Sequence, residues 1–194
     1  LASIKEQMGD YAQAETMLRE VIELSQSDQS AQRDDPRFIT FRQNLGRTLL
    51  LQNKLDEAWP LLAENIPGSS EAAELKVERA RQLFHEGEWM RRRGRSADAA
   101  QYFARAEAAF TALYPQPHAR HGNLARARGL LLRDEGKFRE AEAELRRAVD
   151  ILRAKAGNEA PSTVEATLDL AALLMRRGAG DEARQLLFEV RDAV

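Results

Sequence analysis

The chain has 194 residues, 43% of them hydrophobic and 31% charged, which lies within the globular range and is long enough to bury a core. Its formal charge of −2 exerts no global pull toward nucleic acid or membrane, and the absence of cysteine excludes disulfides, thiolate metal sites and a cysteine nucleophile. No apolar run approaches the roughly 20 residues of a membrane-spanning helix and no signal-peptide pattern opens the chain, so it reads as soluble, and its lack of cysteine fits the cytoplasm. Arginine far outnumbers lysine, and with the abundant alanine this reads as the product of a GC-rich bacterial genome.

One pattern recurs along the whole chain: a glycine or asparagine, a short polar turn, an alanine, and a large apolar residue four positions later. The alanines Ala14, Ala58, Ala99, Ala141 and Ala183 are 44, 41, 42 and 42 residues apart. Twelve residues before each stands a small residue (Ala2, Gly46, Gly87, Gly129, Ala171), and seven after that Gly9, Asn53, Gly94, Gly136 or Gly178. Glycine inside a helix costs about 1 kcal/mol relative to alanine, so the repeated small residue implies close approach of a neighbouring helix. The second register suits the left-handed residue at which helices commonly end. Each unit is therefore helix, tight turn, helix.

In chain order, Leu1 to Met8 reads as the tail of a first helix, and Tyr11 to Ser27 as its partner, with Tyr11, Ala14, Met17, Leu18, Val21 and Ile22 on one face. Asp28 to Asp35 is a polar loop, and Pro36 opens a helix to about Gln52. Leu55 to Ile66 follows, carrying Pro60, which is harmless in a first turn and disruptive deeper in. After the break Ile66 to Ser70, a long helix runs from about Ser70 to Arg93, with Ser69 or Ser70 as N-cap. Then come Ala97 to Leu113, a break at Tyr114-Pro115-Gln116-Pro117, two helices between His118 and Ala156 around Gly136, and a last pair from Pro161 to Val194. The predicted units are 1–35, 36–68, 69–115, 116–160 and 161–194.

This pattern resembles the tetratricopeptide repeat, whose common form has about 34 residues. The longer period is similar to the repeats of kinesin light chains and many bacterial proteins. Leu55-Asp56-Glu57-Ala58-Trp59-Pro60-Leu61-Leu62 looks like their proline-containing second helix, and Gly157 to Val164 like their inter-repeat loop. The resemblance implies an all-α, right-handed solenoid of antiparallel helix pairs forming one domain. Glu86 and Arg128 replace an expected leucine, and Gly180 replaces the bulky residue found as Tyr11 or Phe138, which should loosen the last turn. The chain opens mid-helix and has no polar cap at either end, which reads as a fragment of a longer protein whose uncapped ends would allow self-association.

The resemblance also implies that first helices line a concave surface. Partner-binding residues would be Gln43, Asn44 and Arg47 from the second unit, with Thr40 and Leu50 beside them. The third unit would add Arg81, Phe84, His85, Glu88 and Arg91, with Arg92 beside them, and the fourth Asn123, Arg126, Leu130 and Arg133. Glu165, Leu168, Asp169, Ala172, Met175 and Arg176 would continue the surface. The middle of this groove reads as basic, fit for an acidic peptide or loop; the alternative is a set of ordinary solvated helix charges. The asparagine ladder that grips a peptide backbone in kinesin-light-chain-like grooves is present at Asn44 and broken at His85, Ala127 and Asp169. The lysine–asparagine clamp for a C-terminal carboxylate is missing.

Arg91-Arg92-Arg93-Gly94-Arg95 has the look of a nucleic-acid patch, but Arg176-Arg177-Gly178 occupies the same register, which favours a role at helix C-termini. His118 and His121 are spaced for one helix face, yet no third metal ligand accompanies them, so a capping turn is the preferred reading. No nucleophile, phosphate loop or carboxylate pair is legible, and no enzymatic activity, metal or cofactor is expected. The expected function is a scaffold that binds a protein or peptide, without membrane or nucleic-acid partners. The alternative is a regulatory or sensory region of a larger bacterial signalling protein, a kinase or transcription regulator.

Overall fold

The computed structural model describes residues 9–27, 36–64, 73–115 and 117–193. Every described element is a helix: α1 (Tyr11–Ser27), α2 (Pro36–Leu51), α3 (Leu55–Leu62), α4 (Ala73–Arg92), α5 (Ser96–Leu113), α6 (Ala119–Asp134), α7 (Phe138–Ala156), α8 (Pro161–Arg176) and α9 (Gly180–Ala193). The predicted half-helix at 1–8, the loop at 28–35, the end of the third helix past 64 and the serine N-cap of the fourth lie outside the described residues. Contacts divide the chain into two units at Arg93/Gly94, α1 to α4 in one and α5 to α9 in the other.

The predicted turn residues carry the left-handed backbone, with φ of 60° at Asn53 and 77° at Gly136. The hydrogen bonds explain why. At Gly136 the Lys137 amide reaches back to the Leu132 carbonyl (2.9 Å) and the Gly136 amide to Arg133 (3.0 Å), satisfying carbonyls that the end of α6 leaves open. The same pair of bonds forms around Asn53, from Lys54 to Leu49 and from Asn53 to Leu50, and around Gly178.

Close approach accounts for the small-residue register. A β-carbon on Gly129 would lie 2.7 Å from Leu145 and 3.2 Å from the Ala141 carbonyl oxygen; on Gly46 it would lie 2.9 Å from Leu62. Gly122, two turns before Gly129 on α6, repeats the arrangement against Leu152 at 2.6 Å. The repeat alanines and their apolar partners form the core: Ala14, Leu18, Ala58, Leu62, Ala99, Phe103, Ala141 and Leu145 are all buried. The last partner departs from the pattern, because Leu187 is 38% exposed although Ala183 is fully buried.

Pro60 falls beyond the first turn of α3, and that helix stops two residues later. Its open carbonyls are capped from other helices. Gln43 Nε2 donates to the Leu61 carbonyl (2.8 Å), and Gln82 Nε2 donates to those of Leu62 and Glu64 (2.7 Å each). Trp89 packs on Trp59, ring centres 4.3 Å apart, and donates its indole N–H to the Leu55 carbonyl. Both tryptophans therefore join α4 to α3.

Each unit also carries the same charged node. Arg19 pairs with Glu15 on α1 and reaches Glu57 on α3, with Lys54 closing on Glu15. In the second unit Arg146 pairs with Glu142 on α7 and reaches Glu182 on α9, with Arg177 closing on Glu142. Counted from the repeat alanine, the acid is at +1, the arginine at +5 and the second acid at −1 of the next repeat. Arg128, in a leucine register, extends from α6 to Glu107 on α5 (2.6 Å), so an ion pair takes the place of an apolar contact there.

Candidate functional site

The small-residue faces of α2 and α6 pack on α3 and α7, while side chains two to six residues before that register reach the neighbouring first helix. In the first unit this brings Asn44 on α2 to Arg81 on α4, whose Nη2 donates to Asn44 Oδ1 at 2.8 Å while Nη1 holds Glu78 at 2.7 Å. Arg47 lies half-buried one turn beyond Asn44. Phe84 and His85 are half-buried neighbours in edge-on contact, ring centres 5.2 Å apart. Glu88 and Arg91 bond one another at 3.2 Å.

In the second unit Arg126 on α6 reaches two carboxylates on α8, Asp169 and Glu165, both at 2.5 Å. Asn123 is half-buried one turn earlier, and Arg133 lies against its neighbour Asp134 at 2.8 Å.

Two expected partner-binding residues take other roles. Gln43 is 3% exposed and caps α3, so its amide is committed inside the fold. Leu130 is buried because α6 lies against α5, α7 and α8, and this buries Gly122, Leu124, Ala125, Ala127, Gly129, Leu130 and Leu131 around more than one stripe. The basic character expected of the surface is likewise offset. Arg81, Arg91, Arg126 and Arg133 each meet a carboxylate, and Arg126 meets two.

The arginine run divides among structural tasks. Arg92 donates to the Leu50 carbonyl at the end of α2 (3.0 Å), a cation at a helix C-terminus as the register implied, although the helix belongs to the neighbouring repeat. Arg93 pairs with Asp56 and lies over Trp89; Arg95 pairs with Asp98. His118 and His121 form a capping box at the start of α6. His118 Nδ1 accepts from the Arg120 amide, and His121 Nδ1 accepts from the His118 amide, both at 3.2 Å. Tyr114 stacks on His118 with ring centres 4.2 Å apart. Burial first, then the charges of Arg120 and His121, pushes the His118 pKa below the ordinary histidine value. Among the described residues no group of three or more His, Asp or Glu is arranged to hold a metal, and no helix is long and apolar enough to cross a membrane.

A sequence profile described as tetratricopeptide repeat matches residues 1–28. No curated protein matches the chain. Among solved structures, BtubC (BKLC) from P. vanneervenii is similar with a TM-score of 0.64 and 18% identity, covering 100% of this chain and 76% of that one. A kinesin light chain of Podosopora anserina with nearly identical TPR-like repeats gives 0.56 and 18%, covering 99% and 90%. MamA from Desulfovibrio magneticus RS-1 gives 0.52 and 14%, also covering 99% and 90%. At these identities the likeness is one of architecture, and with the nine described helices it establishes that the chain has an all-α fold of tetratricopeptide-like helix pairs.

Proposed function

We propose that the chain is a protein-interaction scaffold that receives a peptide or protein segment on the expected concave face, the side of its first helices turned away from their second helices. The observation that carries this reading is the polar bridge between adjacent first helices in the first unit, where Asn44, Arg81 and Glu78 are linked while Phe84 and His85 stand half-buried beside them. Such a surface offers backbone-directed hydrogen bonds from Asn44, a planar donor fork from Arg81 and an apolar contact from Phe84. An acidic side chain on the segment would have to share Arg81 with Glu78, because the buried Glu78 carboxylate cannot give up its charged partner without a large penalty. On the corresponding face of the second unit Arg126 is already held by Glu165 and Asp169.

Capture from a lysate of the source organism, with Arg81→Glu and Arg126→Glu as separate folded variants, tests the assignment. A partner lost with Arg81→Glu and kept with Arg126→Glu supports it. Equal retention by both moves the interaction off this face.

A second reading, a regulatory segment acting through self-association or contact with a neighbouring domain, is favoured by exposed apolar side chains at the last helix pair. Leu168, Met175, Leu187 and Phe188 are 43%, 61%, 38% and 54% exposed. Light scattering of the isolated chain tests its self-association form: concentration-dependent association that Phe188→Ser abolishes supports it, and a monomer at all concentrations removes it.

A further inference from the structure

The second unit contains a cleft of about 550 Å³ lined by Arg153 near the end of α7, Asn158 and Glu159 in the following loop, Thr163 and Thr167 on α8, and Glu189 on α9. It is independent of the first-helix face described above. Its floor holds an unspent polar atom: Thr163 is 2% exposed, and its Oγ1 has no hydrogen-bond partner. A buried hydroxyl without a protein partner keeps an open hydrogen-bonding position, which a polar atom entering through the cleft would fill. The neighbouring Thr167 hydroxyl is already used, donating to the Thr163 carbonyl at 2.8 Å.

Charge selects the visitor. Glu159 and Glu189 contribute two negative charges to the lining and Arg153 one positive, and Arg153 is held to Glu189 at 3.0 Å. The negative end of α7 and the positive end of α8 meet across the loop, so their dipoles offset one another. The cleft is left one charge negative, with acceptors at Glu159, Glu189 and Thr163. An alkylammonium group has one positive charge and three N–H donors. We propose that this cleft binds an organic ammonium group, with the Glu159 and Glu189 carboxylates and the Thr163 hydroxyl accepting its three donors and Arg153 positioning Glu189. The group could be carried by a free diamine or by a lysine side chain of a partner protein.

The test is a titration of the whole chain followed by amide chemical shifts, using cadaverine hydrochloride, Nα-acetyl-lysine methylamide and, at matched ionic strength, sodium chloride. Saturable shifts confined to amides around 153–167 and 186–191 are expected. Glu159→Gln, at an exposed position, should weaken the affinity about tenfold, the scale of one charge-assisted hydrogen bond. Thr163→Val removes the unpaired hydroxyl at nearly constant shape, so it should leave the melting temperature unchanged or raised while weakening binding several-fold, a combination that a merely structural role would not produce. Should Thr163→Val fail to fold, Glu159→Gln decides alone. Tighter binding of the lysine derivative assigns a partner's side chain, and tighter binding of cadaverine a free diamine. Shifts that sodium chloride reproduces, an affinity unchanged by Glu159→Gln, or a localised response to sodium acetate instead of the amines would overturn the proposal.

Discussion

Among the described residues, His118 and Glu15 tie stability to pH. His118 caps α6 only while its Nδ1 is unprotonated, and its folded pKa is lowered by burial and by the nearby charges of Arg120 and His121. A depressed folded value means that the cap stabilises fully above the unfolded pKa of about 6.5 and is lost as pH falls through the lower folded one. His118→Ala should cost about 1 kcal/mol at pH 7.5, whereas His118→Asn, which caps without titrating there, should keep most of the stability. Between pH 7.5 and 5.5 the parent should lose more melting temperature than His118→Asn; equal losses would contradict the role. Glu15 behaves alike at lower pH. Burial alone would raise its pKa, but the bonds from Lys54 (2.7 Å), Gln52 (2.8 Å) and Arg19 (2.9 Å) prevail and hold it at about 2. Its contribution is complete above pH 4.5 and fades as pH falls from there toward 2. Glu15→Gln should destabilise by about 1 kcal/mol at neutral pH and by progressively less as acid protonates the parent, read from urea midpoints across that window.

At the scale of the helix, the close approach of α7 to Gly129 is open to direct test. Alanine is ordinarily the better helix former by about 1 kcal/mol, yet a methyl on Gly129 meets a backbone oxygen that has little freedom to move. Gly129→Ala should therefore destabilise, by about 1–3 kcal/mol; a stabilised variant would show that the helices yield. Helix positions and turns were legible because each rests on short-range chemistry: Asn53 and Gly136 mark left-handed turns, Pro36 and Pro161 open helices, and Tyr114-Pro115 closes one. Tertiary roles were harder to see. Gln43 was legible as a polar face residue, but its task depends on α3 ending at Leu62, which follows from Pro60 and from capping by two other helices. Leu130 fitted one helical stripe, while α6 is packed against three neighbours and buries more than a stripe. Gly122 was missed, although its seven-residue spacing from Gly129 was a readable signal.

For the molecule as a whole, the fold followed from the repeat, and the candidate surface only in part. Charge on a helix can be counted from sequence, but whether it is available cannot. The carboxylates facing Arg126 lie 39 and 43 residues away, and they offset its charge. The first unit keeps the expected chemistry at Asn44 and Arg81, so the central claim rests there. The measurement that tests it most directly is the association rate of the captured partner across a range of salt concentration, for the parent chain and for Arg81→Glu. Steering by Arg81 predicts a rate for the parent that falls as salt rises, and for the charge-reversed variant a slower rate that no longer falls with salt. The same salt dependence in both would contradict the account.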